Sequence, residues 1–119
     1  MIDWSQVKHF TRAEFGPDHI EPDPMMVSML DQARRMAGIP FVINSGIRTP
    51  ERNAAVGGAP TSAHLTGHAV DIRCTDSRSR YLIVKSCMRA GFSRIGIASG
   101  FVHVDNDPDK EGMVIWTYQ

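Results

Sequence analysis

The sequence predicts an α+β fold in which helices flank a small, mainly antiparallel sheet. Two segments repeat apolar residues at helical spacing, and several short apolar runs bounded by turn residues are typical of strands. The 119 residues are enough for one domain with a single modest core and too few for two. No repeat, low-complexity tract or linker divides the chain, so we expect one domain over residues 1–119.

The first helix is predicted to begin at Asp23 and Pro24 and to end at Gly38. Asp is a favoured N-cap, Pro fits the first helical position, and Gly readily adopts the left-handed conformation that ends many helices. Apolar residues recur at helical spacing in this segment: Met26, Leu30, Ala33 and Ala37. Because the methionines here follow that stripe, we expect core packing rather than a soft-metal site for Met25, Met26, Met29 and Met36.

The second helix is predicted to begin at Thr75 or Asp76 and to end at Gly91. Four of its side chains are expected to face inward: Ile83, Val84, Cys87 and Met88. Five short runs are typical of strands: Pro40–Asn44, His68–Arg73, Ile95–Ile97, Phe101–Asp105 and Met113–Thr117. Turn residues at 106–109 separate the last two runs, so we expect these two to pair as a hairpin.

Residues 1–22 are predicted to form an irregular arm with short helical turns that packs on the body. Thr11 and Glu14 have the spacing of a capping box. Three aromatic residues are expected to hold the arm in place: Trp4, Phe10 and Phe15. The histidines of this arm, His9 and His19, are expected to be surface or packing residues and not metal ligands.

The charge balance gives no sign of a polyanionic partner. Lysine plus arginine and aspartate plus glutamate both number 13, so the formal net charge is zero. We therefore expect no nucleic-acid and no membrane partner, and no apolar run approaches the length of a membrane span. Cys74 and Cys87 lie in no C-x-x-C pattern and are expected to be buried free thiols, with a disulfide as the alternative.

The residues best suited to chemistry lie between Ser45 and Asp71 and in the late segment FVHVDN. His64 precedes Asp71 by seven positions, and His103 lies in the late segment. Strand alternation places Asp71 on the face opposite its apolar neighbours, and it does the same for His103. Two histidines and one carboxylate form a three-ligand set that leaves a coordination position open, as in catalytic zinc sites, although other divalent ions also fit.

These motifs resemble those of the zinc peptidases that cut peptidoglycan stem peptides, the family of D-alanyl-D-alanine carboxypeptidases and L-alanyl-D-glutamate endopeptidases. The resemblance rests on SGIRTPERN, on the S-x-H-x-x-G-x-A-x-D core and on the late H-V-D. HFTRAEF and WTY are similar to a small, phage-endolysin-like subgroup, so the resemblance covers nearly the whole chain. It implies the fold shared with the hedgehog signalling domain, and zinc held by His64, Asp71 and His103.

Two further residues are assigned by position and by the resemblance. Arg48 follows a predicted strand and a glycine turn, where site residues often lie. A guanidinium binds a carboxylate through two parallel hydrogen bonds, and stem peptides carry free carboxylates, so we expect Arg48 to bind substrate. An ordinary surface arginine is the alternative. The resemblance gives Ser62 a polar contact near the metal or substrate, whereas its sequence position also suits a turn cap.

The resemblance does not identify the residue that would act as general base. Better-known members of the family carry an acid or a histidine two or three residues before the last ligand, but Phe101 and Gly100 occupy those positions here. Asp105 is the nearest acid, and strand alternation puts it on the same face as His103. We expect Asp105 to act as the base. The alternatives are that it opens the following turn or orients a ligand histidine.

The sequence therefore predicts a monomeric, zinc-dependent peptidase that hydrolyses an amide bond in peptidoglycan stem peptides. The cleaved bond is expected to be D-Ala-D-Ala or L-Ala-D-Glu. A non-catalytic zinc-binding module for recognition or assembly is the alternative, and the missing upstream acid supports it. The N-terminus lacks the pattern of a signal peptide, so we expect synthesis in the cytoplasm and action on the cell wall after release or assisted export.

Overall fold

A five-stranded sheet forms the body of the protein, and two helices cover one of its faces. The structure, a computed structural model, describes residues 2–17 and 19–118. The strands are β1 (Ile43–Ser45), β2 (Ala69–Arg73), β3 (Arg94–Ile97), β4 (Phe101–Asp105) and β5 (Val114–Thr117), in the spatial order β1-β2-β4-β3-β5. β1 starts later than the predicted run 40–44 and pairs irregularly with β2. Because only the β3–β5 pair is parallel, the predicted α+β class with a mainly antiparallel sheet is confirmed.

The two long helices, α1 (Pro24–Ala37) and α3 (Ser77–Ala90), begin and end at the predicted caps. A shorter helix, α2 (Pro50–Ala55), follows β1, and short 3-10 turns lie at Trp4–Gln6, Arg12–Phe15 and Ala63–Thr66. The carboxylates of Asp23 and Asp76 each accept the backbone N–H three residues further on, at 2.9 Å. Gly38 and Gly91 end the two long helices in the left-handed conformation, with φ of 71° and 113°.

The core lies between the helices and one face of the sheet. Buried side chains of α1 and α3 meet the alternating residues of the central strands: Val70, Ile72, Ile95, Val102 and Val104. Phe10 and Phe15 from the N-terminal arm are buried in the same cluster, and Trp4 packs against it. Cys74 and Cys87 are buried free thiols, as expected. No helix within the described residues is long and apolar enough to cross a membrane.

The predicted hairpin between the last two strands is wrong. β5 pairs in parallel with β3, because β2 and β3 already occupy the two edges of β4. Residues 106–113 carry the chain to the free edge of β3, where the Val114 N–H donates to the Ser93 carbonyl at 3.0 Å. Turn residues identify where a chain reverses, but they do not identify which strand will be the partner.

Three methionines that were predicted to pack in the core are exposed. Met25 and Met36 of α1 are 63% and 40% exposed, and Met88 of α3 is 53% exposed. Met26 is fully buried and Met29 packs against the core. The prediction treated neighbouring methionines as one group, whereas each turn of a helix presents only part of its circumference to the sheet.

One row of paired residues crosses all five strands on the face opposite the helices. The row runs Ser45, Asp71, His103, Gly96, Trp116, and each residue is the register partner of the next. Gly96 is the smallest member and lies between two ring-bearing residues. The lack of a side chain at this position allows the Trp116 indole to cross β3 and reach the His103 ring, with 5.4 Å between the ring centroids.

Replacing Gly96 by alanine should lower the free energy of unfolding by about 1–3 kcal/mol, the usual cost of overpacking. A Cβ at this position would lie 2.6 Å from Trp116 Nε1 and 2.7 Å from Tyr118 Cε1, so both rings would have to move. Chemical denaturation measures the change. Gly100→Ala is the matched control, because a Cβ there meets no atom within 4 Å and should change stability by less than about 0.5 kcal/mol. Equal losses in the two variants would contradict the close contact.

Candidate metal centre

The three side chains predicted as metal ligands lie together on the face of the sheet opposite the helices. His64 is in the turn Ala63–Thr66, Asp71 is in β2 and His103 is in β4. One donor atom of each lies within 4.8 Å of the other two, so the group could hold a metal ion. His64 Nε2 and His103 Nδ1 are 3.3 Å and 2.9 Å from Asp71 Oδ1. All three residues are buried.

The spacing of these donor atoms suits a small divalent ion. Tetrahedral zinc with bonds of about 2.0–2.1 Å places its ligand atoms roughly 3.3 Å apart, close to the separations found here. The other nitrogen of each imidazole is already engaged: His64 Nδ1 is 2.7 Å from the Gly46 carbonyl, and His103 Nε2 is 2.7 Å from Asp105 Oδ2. These contacts direct His64 Nε2 and His103 Nδ1 towards Asp71, as metal-binding histidines require.

Asp71 and His103 favour each other's charged forms. Burial alone would raise the pKa of Asp71, but the hydrogen bonds and charges of His103 and His64 hold it well below its usual range. Burial would lower the pKa of His103, whereas its contacts with Asp105 and Asp71 raise it above the ordinary value. Asp71 is therefore an anion at neutral pH, which is the form that binds a cation.

Arg48 lies beside the ligands and contacts the second oxygen of Asp71. Its Nη2 is 3.4 Å from Asp71 Oδ2, and its Nε donates to Ser45 Oγ at 3.1 Å. Its Nη1 is 3.4 Å from Asn53 Oδ1, and the Asn53 amide in turn donates to the Ala59 carbonyl at 2.8 Å. A guanidinium carries five N–H groups, so these three contacts leave two for a ligand in the cavity.

Ser62 and His68 flank His64 in the sequence, but only Ser62 lies at the cavity. The Ser62 hydroxyl accepts the backbone N–H of His64 at 3.3 Å and so caps the turn, and Ser62 also lines the cavity over the ligands. His68 lies apart from the candidate metal ligands. Its Nδ1 is 2.8 Å from Thr66 Oγ1 and its Nε2 is 3.7 Å from Asp23 Oδ1.

Asp105 lies against the far side of the His103 ring. Its side chain is only 2% exposed. Besides its contact with His103 Nε2, its Oδ1 accepts Arg94 Nε at 2.8 Å and the Asp107 N–H at 3.1 Å. Burial would raise the pKa of Asp105, but the hydrogen bonds from His103 and Asp107 and the charges of His103 and Arg94 lower it. Both carboxylate oxygens are thus occupied by donors.

A cavity of about 550 Å³ opens over the three ligands. Aromatic rings form one wall: the Trp116 ring lies 5.4 Å from that of His103, and the Tyr118 ring 5.1 Å from that of Phe101. Three cations and several small residues complete the lining: Arg48, Arg94, Lys110, Gly57, Gly58, Ala59 and Ser62. A cavity with this mixture of apolar walls and fixed cations suits a short peptide that carries carboxylates.

Four side chains around the site were not assigned from the sequence. Asn53, Trp116 and Tyr118 lie in SGIRTPERN and WTY, so the resemblance marked their segments without assigning them roles. Arg94 carried no such signal. Its position depends on the pairing of β3 with β4, in which Arg94 is the register partner of Asp105.

The fold and the sequence both match known peptidases. Among solved structures, the L-Ala D-Glu endopeptidase ChiX of Serratia marcescens has a similar fold, with a TM-score of 0.52 and 24% identity over 74% of this chain and 76% of that chain. No curated protein matches the sequence. The model of the Peptidase M15 family matches residues 6–105, a span that includes His64, Asp71 and His103. The protein therefore belongs to peptidase family M15.

Proposed function

We propose that the protein is a zinc-dependent peptidase that hydrolyses an amide bond in peptidoglycan stem peptides, as a D-Ala-D-Ala carboxypeptidase or an L-Ala-D-Glu endopeptidase. Its family supports peptide hydrolysis, and the similar ChiX is an L-Ala D-Glu endopeptidase. The observation that carries the proposal is the convergence of three donor atoms, from His64, Asp71 and His103, at the base of a cavity that a guanidinium also lines.

Zinc fits this donor set better than a harder cation does. Two imidazole nitrogens and one carboxylate oxygen are common zinc ligands, and three protein ligands leave a coordination position for chemistry. When bound, zinc polarises a scissile carbonyl and lowers the pKa of bound water to roughly 7. The chain's own contribution is a rigid ligand set, since Gly46 and Asp105 hold the two imidazoles and Arg48 contacts Asp71.

Arg48 is placed to recognise a carboxylate of the stem peptide. It lines the cavity, and its two unused N–H groups match the planar, two-point geometry of a carboxylate. Its contact with Asp71 also keeps the guanidinium beside the ligands. The substrate carboxylate would therefore be held close to the reacting amide, which is the requirement that both candidate bonds share.

The contacts of Asp105 favour an orienting role over the role of general base. A base must reach the proton that it accepts, whereas the Asp105 oxygens already accept from His103, Arg94 and Asp107. Of the roles considered from the sequence, the orientation of a ligand histidine fits these contacts best. We propose that Asp105 fixes His103 with Nδ1 directed at the metal.

Purified cell-wall sacculi provide the test of the proposed function. The protein should release new amino groups from them, and mass spectrometry of the fragments should identify whether D-Ala-D-Ala or L-Ala-D-Glu is cut. Zinc binding without release of amino groups would favour the non-catalytic module instead, which the absence of an acid at Gly100 and Phe101 supports. The monomeric state and the route to the cell wall stay predictions.

The His64→Ala, His103→Ala double variant should lose its zinc, because only one protein ligand remains. Elemental analysis of protein purified without added metal should give one zinc per wild-type chain and almost none in the variant. His68→Ala is the matched control: this histidine is close in sequence but contacts Thr66 and Asp23, so zinc should be retained. Stoichiometric zinc in the double variant would disprove the ligand assignment.

Arg48→Lys should raise KM and lower kcat/KM by about ten- to a hundredfold, because an ammonium does not reproduce two parallel hydrogen bonds to a carboxylate. Steady-state kinetics on a soluble stem peptide measures the change. Arg52→Lys, at an exposed position of α2, should behave as wild type. If Arg48→Lys instead loses zinc, Arg48 acts through Asp71 and the substrate role is wrong.

Asp105→Asn should weaken zinc binding by about ten- to a hundredfold, the usual effect of removing a group that orients a ligand histidine. Competition with a chelator measures the affinity, and excess zinc should restore most of the activity. Asp109→Asn, an exposed neighbour, is the control. Normal zinc affinity together with a rate reduced on the order of a hundredfold would show that Asp105 is the base after all.

A further inference from the structure

Tyr118, which is 44% exposed, lines the cavity with its phenol, whereas the only other tyrosine of the chain, Tyr81, lies away from the cavity on α3. The Tyr118 backbone N–H donates to β3 at 2.9 Å, and its ring packs on Phe101. Tyr118 follows Trp116 by two positions, so its side chain lies on the same face as the metal ligands. We propose that the Tyr118 hydroxyl donates a hydrogen bond to the oxygen of the scissile amide as negative charge develops there, an inference that rests on the proposed function.

Two other polar side chains that line the cavity are already paired. Arg94 is bonded to Asp105, and Lys110 is bonded to Asp107 at 2.8 Å. Among the described residues, the one side-chain hydrogen-bond partner of the Tyr118 hydroxyl is the Trp116 indole. This hydroxyl can therefore donate to a ligand in the cavity without breaking an existing contact.

The phenol is in the correct protonation state for a donor. Burial raises the pKa of Tyr118 above its ordinary value, and the charges of Asp71 and Asp105 act in the same direction, although the Trp116 indole opposes them. An indole N–H is only a donor, so its approach to the phenol oxygen leaves the O–H free. Tyr118 is therefore a neutral hydrogen-bond donor at neutral pH.

The reaction balances without a proton from Tyr118. Water supplies the oxygen that bonds to the carbonyl carbon, the C–N bond breaks, and a proton from water goes to the departing amine. The hydroxyl keeps its hydrogen throughout. Its hydrogen bond becomes stronger as charge accumulates on the carbonyl oxygen, and this difference is what lowers the barrier.

Tyr118→Phe keeps the ring on Phe101 and removes only the hydroxyl. The substitution should lower kcat on the order of a hundredfold, as the loss of one donor to a developing oxyanion does elsewhere, with KM and zinc content unchanged. Tyr81→Phe makes the same chemical change at a position 63% exposed on α3 and should have wild-type kinetics. A rise in KM at constant kcat would overturn the proposal, since the hydroxyl would then bind substrate and transition state equally.

A binding measurement tests the same proposal without catalytic turnover. A phosphinic dipeptide presents a tetrahedral, anionic oxygen where the reacting carbonyl would be, and its Kd from calorimetry should rise at least about tenfold in Tyr118→Phe. The Kd for the reaction product, which lacks the tetrahedral centre, should not change. Equal weakening of both ligands, or of neither, would contradict an oxyanion donor.

Failure of this inference is distinguishable from failure of the proposed function. If wild-type protein releases no amino groups from sacculi and does not bind the phosphinic dipeptide, the proposed function itself is wrong, and the inference falls with it. If wild-type protein is active and Tyr118→Phe matches it in kcat, KM and phosphinate affinity, only the role of Tyr118 is wrong.

Discussion

The pairing of β2 with β4 is the interaction on which the rest of the site depends. It makes Asp71 the register partner of His103. Their neighbours in the two strands pack in the core on the other face of the sheet: Val70, Ile72, Val102 and Val104. Side chains alternate between the two faces of a strand, so a shift of the pairing register by one residue would exchange the side chains on the two faces of the sheet. Valine and isoleucine would then line the cavity, and the carboxylate and imidazole would be buried among apolar side chains. The hydrophobic core therefore enforces the geometry of the polar site on the other face of the same sheet.

Around this pairing, each candidate ligand is contacted by a further group of the chain. A backbone carbonyl at Gly46 holds His64, a carboxylate on β4 holds His103, and a guanidinium from the β1–α2 connection contacts Asp71. Such contacts reduce the rotational freedom of the ligands before any ion arrives. They lower the entropy cost of binding and favour one geometry over others. This support comes from two segments, the β1–α2 connection and β4, so the ligand set is complete once β1, β2 and β4 have paired.

Much of the fold and of the candidate site could be predicted from the sequence, because these parts depend on local sequence rules. Helix caps at Asp23 and Asp76 and the alternation that directs Asp71 away from the core depend on neighbouring residues alone. The motif spacing marked His64 and Asp71, and the resemblance added His103. The position of β5 was not accessible, since it depends on which strand edges remain free after the others have paired. The contacts of Asp105 were missed for the same reason: Arg94 reaches it only through the pairing of β3 with β4. The local sequence pattern identifies the helices and strands, whereas pairing between distant strands decides which of them are neighbours in the sheet.

The parallel strand β5 has a consequence for the order in which the site is built. All three candidate ligands precede it in the chain, and it adds the aromatic wall of the cavity by crossing Gly96. During synthesis on the ribosome, a nascent chain that has emerged as far as β4 already carries every candidate metal ligand but lacks the surface that would enclose a substrate. Under the proposed function, the groups for metal capture are thus complete earlier along the polypeptide than the wall that would enclose a peptide.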